Sequence, residues 1–232
     1  MSYKVPPIFE PNRVINIFDD FLCMELSTGG SMISQLGWLN IGIINMNPVT
    51  SISSSHPGVI SNPATVTDYG IFTSGSQVGT TIYPSIILGG GEIELHWVIN
   101  VAILSDGTNT YTLRAGLGDT ITGDEVNGVY FEYTHSVNSG NWVCKTSSAS
   151  TQTSSNSSVA ATGWTNLGIK INAAATSAGF YINGTLSQTI ATNIPSAAIS
   201  PIMYVEQNAG SIASDTTIID LFSMQQTLTT GR

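Results

Sequence analysis

Residues 92–103 read EIELHWVINVAI. Ile93, Leu95, Trp97, Ile99, Val101 and Ile103 take every odd position, and Glu92, Glu94, His96 and Asn100 lie on the other side. Successive side chains of a strand point to opposite faces. Six consecutive matches to a period of two therefore describe a long, half-buried strand and not a helix. Asp106-Gly107 follows, and then Tyr111-Thr112-Leu113-Arg114. An Asp-Gly between two such runs predicts a hairpin.

The alternation recurs along the chain. Val129, Phe131 and Tyr133 alternate behind Asn127-Gly128, and Leu167, Ile169 and Ile171 alternate after Trp164. Phe180 and Ile182 lead into Asn183-Gly184, with Leu186 on the return. Asn-Gly suits a type I′ turn, whose two central residues need positive φ. Met203 with Val205, and Ile219 with Leu221, read as closing strands. Roughly a dozen strands separated by turn signals predict a sandwich or barrel. Val14, Phe18 and Leu22 come nearest to a helical stripe. Gly89-Gly90-Gly91 precedes a strand, where a bulge or close packing explains it better than a phosphate cradle at a helix N-terminus. Residues 146–161, rich in Ser and Thr, suit a hairpin or long exposed loop. The expected organisation is one all-β, two-sheet antiparallel jelly-roll sandwich over residues 23–232. Residues 1–22, with Pro6, Pro7 and Pro11, form an arm that docks elsewhere or an edge strand.

Composition narrows the function classes. The chain has 232 residues, enough for one large sandwich. Charged residues make up 9% against ~25% in ordinary globular proteins, while hydrophobic residues remain at 41%. Ser, Thr, Asn and Gly replace the charge, which suits outer faces covered by neutral polar groups. The net charge is -9 and the six cations, Lys4, Arg13, Arg114, Lys145, Lys170 and Arg232, form no cluster. This argues against a nucleic-acid partner and against docking on an anionic membrane. No stretch approaches the ~20 apolar residues of a membrane span. MSYKVPPIFE at the start lacks the apolar core of a signal peptide, so synthesis in a cytoplasm without export is expected. Cys23 and Cys144 are too few for a disulfide framework and read as two small apolar side chains.

Trp164-Thr-Asn-Leu-Gly-Ile-Lys-Ile171 followed by Gly179-Phe-Tyr-Ile-Asn-Gly184 resembles the central hairpin of concanavalin A-like and laminin G-like domains. The order of further landmarks resembles a lectin-like module of bacteriophage virion proteins. These include His56-Pro57-Gly58, Leu88-Gly-Gly-Gly-Glu92, Gly116-Leu-Gly-Asp119, Asn141-Trp142-Val-Cys144 and Asn193-Ile-Pro195. The resemblance covers roughly residues 35–232 and implies a concanavalin A-like lectin-type sandwich. It implies a structural, non-enzymatic component of a virion: a capsid-decoration, head-fibre or tail-fibre accessory protein. Such a protein would assemble with other virion proteins, form homo-oligomers, and act in assembly or host attachment. A lectin-like module for host-surface glycans is the alternative reading.

Three groups of residues could carry chemistry. Glu92 and Glu94 sit about 6.5–7 Å apart along one strand, near the spacing of inverting glycoside hydrolases. His96 follows them where the one-strand hydrolases of this sandwich carry a further acid, and Trp97 points the other way, so a polar row that keeps a long strand from self-pairing competes with a hydrolase site. Asp119, Asp124 and Glu125 offer three oxygen ligands within seven residues that could hold Ca²⁺, although turn chemistry accounts for the same residues. No other cofactor is expected, since His56, His96 and His135 lack metal-ligand spacing. Among the aromatics, Trp97 and Trp164 are assigned to the core, and Trp142 and Tyr133 are the candidates for stacking on a sugar.

Overall fold

A computed structural model of the protein describes residues 13–21, 36, 38–41, 46–48, 55–72, 77–78, 81–82, 84–121, 123–135 and 137–231. The first strands in chain order are β1 (Val14–Asp19), β2 (Leu39–Ile41), β3 (Asn47–Pro48), β4 (Ile60–Ser61), β5 (Tyr69–Phe72), β6 (Gln77–Val78) and β7 (Thr81–Ile82). The long central strands are β8 (Gly91–Val101), β9 (Thr110–Gly118), β10 (Gly128–Thr134), β11 (Asn141–Ser148) and β12 (Thr151–Ala160). The remainder are β13 (Gly163–Ile171), β14 (Ala178–Ile182), β15 (Thr185–Ile190), β16 (Ser200–Ala209) and β17 (Thr217–Leu228).

They form two facing antiparallel sheets. One runs β15-β14-β13-β8-β17-β4-β3, with β1 also paired to β17; the other runs β12-β11-β10-β9-β16-β5-β2. β6 and β7 pair with each other. The expected all-β jelly-roll sandwich is the fold observed.

Alternation sorts the faces. Ile93, Leu95, Trp97, Ile99 and Val101 of β8 are all buried between the sheets. They meet Leu113, Leu117, Phe131 and Met203 from the second sheet in one continuous core. Phe180 and Phe131 cross the interface edge to face, with ring centroids 5.2 Å apart. Such a pair adds about 0.5–1.5 kcal/mol to the burial of its rings. Trp38, Trp97 and Phe222 make a second aromatic knot, with Trp97 and Phe222 centroids at 4.6 Å. The close-packing reading of the glycine run holds at its end: a Cβ on Gly91 would sit 2.2 Å from the carbonyl oxygen of Thr227.

Two local expectations change. Asp106-Gly107 does not close a hairpin, because β8 and β9 belong to different sheets. The Asp106 carboxylate instead accepts the amides of Thr108 and Asn109, at 2.7 and 2.6 Å, and fixes a turn in a segment that crosses between the layers. The nearest approach to a helical stripe is also extended. Residues 14–19 are β1, in register with β17 from Val14↔Thr227 to Asp19↔Phe222. Residues 1–12 and 22 of the predicted arm lie outside the described residues, as does Cys23. Cys144 is a free thiol in the core, and burial pushes its pKa up to about 12. Residues 146–161 form a hairpin with an exposed polar edge strand, β12, turning at Ala149-Ser150.

Candidate functional site

The face of the first sheet turned away from the core carries the other half of the β8 alternation. Glu92, Glu94, His96, Val98 and Asn100 point outward there, and so do Trp164, Asn166, Gly168 and Lys170 of β13. Lys170 Nζ lies 3.0 Å from Glu92 Oε1 and 3.9 Å from Glu94 Oε2. The hydrogen bond to Glu92 raises the pKa of the Lys170 ammonium above its usual value, and the charges of Glu92 and Glu94 act in the same direction. His96 is held from both sides, with Nε2 3.2 Å from Glu94 Oε1 and Nδ1 3.0 Å from Asn166 Oδ1.

Between these groups lies a groove of about 270 Å³, lined by Glu94, His96, Gly168, Lys170 and Tyr181 among others. Gly168 is its floor. A Cβ there would stand 3.1 Å from the His96 ring and 3.3 Å from Tyr181 Cβ, so these two side chains close in on the buried Gly168 and any side chain at this position would push them into the groove. The result is an open trough with an aromatic wall, a carboxylate, an imidazole and an ammonium. Those are the groups that grip hydroxyls at their edges and an apolar ring face at the wall.

The other outer face is built differently. Arg114 of β9 is buried, and its three nitrogens each bond a different carboxylate at 2.9 Å: Nε to Glu132, Nη1 to Glu206 and Nη2 to Asp124. Lys145 adds a contact of 2.8 Å to Glu132. This network satisfies its own charges and ties β9, β10, β11 and β16 to the loop before β10. Sequence reasoning missed it, because the partners lie 10 to 92 residues from Arg114 and meet only through strand register.

Trp142 and Tyr133 require correction as stacking residues. They are 0% and 2% exposed, packed in the core with their ring centroids 6.5 Å apart. Trp142 follows a turn, but Asn141 already begins β11, and the pleat sends the indole inward. Trp164 is corrected in the opposite sense. It is half-buried on the outer face, stacked on His56 at 3.7 Å with the rings nearly parallel. His56 Nδ1 is in turn 2.7 Å from Asp220 Oδ2. The signal was present in the sequence, since Leu167, Ile169 and Ile171 have the opposite parity to Trp164.

Asp119, Asp124 and Glu125 do not converge on a common point. Asp119 accepts both nitrogens of Asn127, at 2.9 and 2.7 Å. Asp124 turns to Arg114 and Lys145. Glu125 accepts the amides of Asp119 and Thr120, and burial pushes its carboxyl up to about 8. Among the described residues, no three His, Cys, Asp or Glu side chains are grouped to hold a metal.

The fold is a sandwich of the concanavalin A-like lectin and glucanase type. The chain belongs to the SO2946-like, C-terminal domain family, whose model matches residues 55–221. Its fold is similar to that of SO2946 from Shewanella oneidensis MR-1, a protein of unknown function, with a TM-score of 0.58 and 13% identity over 95% of this chain and 89% of that one. It is similar to the endo-1,3-beta-glucanase of Streptomyces sioyaensis, with a TM-score of 0.55 and 12% identity over 97% and 99% of the two chains. The Emp47p carbohydrate recognition domain gives a TM-score of 0.55 at 8% identity, over 94% and 96%. No curated protein sequence matches the chain. At these identities the structural likeness establishes the fold.

Proposed function

We propose that this protein binds a carbohydrate in the groove between His96 and Tyr181 and does not cleave it. The observation that carries the reading is the groove of about 270 Å³ on this face, where a carboxylate, an imidazole, an ammonium and a tyrosine line one opening above Gly168. The names of two relatives of the same fold, a glucanase and a carbohydrate recognition domain, support it.

The carboxylates support the reading of binding without turnover. A glycosidase flanks the scissile bond with two acids, one of them raised in pKa by its surroundings. Glu92 and Glu94 stand in line on one strand, 46% and 49% exposed, and share Lys170. The further acid that the one-strand hydrolases of this sandwich carry is absent here, where His96 follows. The bacteriophage-particle role implied by the sequence resemblance draws no support from the relatives above, none of which is named as a virion protein. Attachment of a particle through a host glycan would use this same groove.

A glycan array tests the reading. The wild-type protein is expected to bind a restricted set of saccharides. Gly168→Val, checked for unchanged folding by its melting temperature, should lose at least about tenfold in affinity, the cost of filling a pocket that one sugar ring occupies. Absence of binding at high protein density, or equal binding by the variant, overturns it. Release of reducing ends from the bound saccharide would overturn the non-catalytic part alone.

A further inference from the structure

Strand register places five residues from five strands in one straight line across the outer face. Phe18 of β1 is opposite Ser223 of β17. Ser223 is opposite His96 of β8, His96 is opposite Gly168 of β13, and Gly168 is opposite Tyr181 of β14. The line therefore reads aromatic, small, imidazole, none, aromatic. Its two ends are four inter-strand steps apart, roughly 19 Å at about 4.8 Å per step.

The two banks of this line differ. One register step to one side stand Gln225, Glu94 and Lys170, all polar. One step to the other side stand Leu221 and Val98, both half-buried and apolar, with Asn166 completing the row. Phe18 is the anomaly. Its side chain is 57% exposed at the far end of the line, where it contributes nothing to the core. A single exposed aliphatic residue is ordinary, but an exposed aromatic in register with a groove offers a flat apolar face in a place where a ligand can use it.

The geometry points to a second subsite at Phe18, so that the line from Tyr181 to Phe18 forms one track for an extended, uncharged saccharide chain lying across the strands. This rests on the carbohydrate reading of the groove. Ser223 and Gly168, the residues on either side of His96, put no large side chain of their own on the line. The polar bank meets hydroxyls, and the apolar bank and the two end rings meet sugar faces. The chain is uncharged because the polar bank already carries Glu92 and Glu94 against Lys170, within a protein of net charge -9. Acidic saccharides would meet repulsion there.

The test is isothermal titration with matched short and long members of four neutral series: β-1,3-gluco-, β-1,4-gluco-, manno- and chito-oligosaccharides, each as disaccharide and hexasaccharide. In the series that binds, the hexasaccharide is expected to bind at least about tenfold tighter than the disaccharide, the effect of burying one aromatic face. Phe18→Ala, outside the core and so without consequence for folding, should abolish that gain and leave disaccharide affinity unchanged. Tyr181→Ala should weaken both. A disaccharide that binds as tightly as its hexasaccharide, or a gain that survives Phe18→Ala, overturns the second subsite and leaves the groove standing. Failure of every series to bind at millimolar concentration removes the subsite and the carbohydrate reading together.

Discussion

Glu125 is 1% exposed, with Oε2 accepting two amides and Oε1 without a hydrogen-bond partner. Burial disfavours its ionised form and moves its pKa from 4.5 to about 8. Between those values the folded protein holds a proton that the unfolded chain has released. Stability tied to this group is therefore fully present below pH 4.5 and is lost as pH rises towards 8, by up to about 1.4 kcal/mol per pH unit. Chemical denaturation at a series of pH values is expected to show this decline. Glu125→Gln should flatten it, and an equally steep decline in the variant would contradict the assignment. Trp142 and Trp164 give the residue-scale lesson about legibility. Parity within a strand decides which way an indole points. Distance from a turn, used for Trp142, does not report parity.

Among the elements, β8 was legible except at its end, because it is long and pairs on both sides and its buried face is continuous to Val101; Ile103, read as a sixth inward residue, lies past the strand and is exposed. The Asn183-Gly184 turn between β14 and β15 was legible for a chemical reason, with φ of 50° and 79° at its two central residues. β1 was not legible. Six residues with mixed burial carry little period-two signal, and the strand exists because β17 offers it an edge. β17 pairs with β8 along one side and divides its other side between β4 and β1. Removal of residues 1–21 would bare the β17 edge along residues 222–227. It would also take away Asp19, which accepts the Trp38 indole N–H at 2.8 Å, and Phe21, whose loss alone costs about 3–5 kcal/mol. The truncated protein is expected to melt at a lower temperature. It should also associate with rising concentration in light scattering, since an open edge strand recruits another chain. A truncated protein that melts like the full chain and stays at one mass would contradict the role given to β1.

At the scale of the whole molecule, the two sheets share one core and present unlike outer faces. The seven-stranded sheet spends its charges on one another around Arg114. The other keeps a partly exposed set of polar groups around an open floor. The proposed binding face rests on that contrast, which was out of reach of the sequence. Glu92, Glu94 and His96 were visible as a row, but Lys170, Gly168 and Tyr181 join them only through the pairing of β8 with β13 and of β13 with β14. The sandwich itself was visible from alternation, turn chemistry and the Trp164–Gly184 resemblance. The most direct test of where this molecule binds is an amide chemical-shift titration of the isotope-labelled protein with the tightest-binding neutral oligosaccharide. The largest shifts are expected at Glu94, His96, Gly168, Lys170 and Tyr181. Shifts concentrated at Arg114, Glu132 and Lys145, with the groove amides unmoved, would contradict the assignment and transfer the site to the opposite sheet.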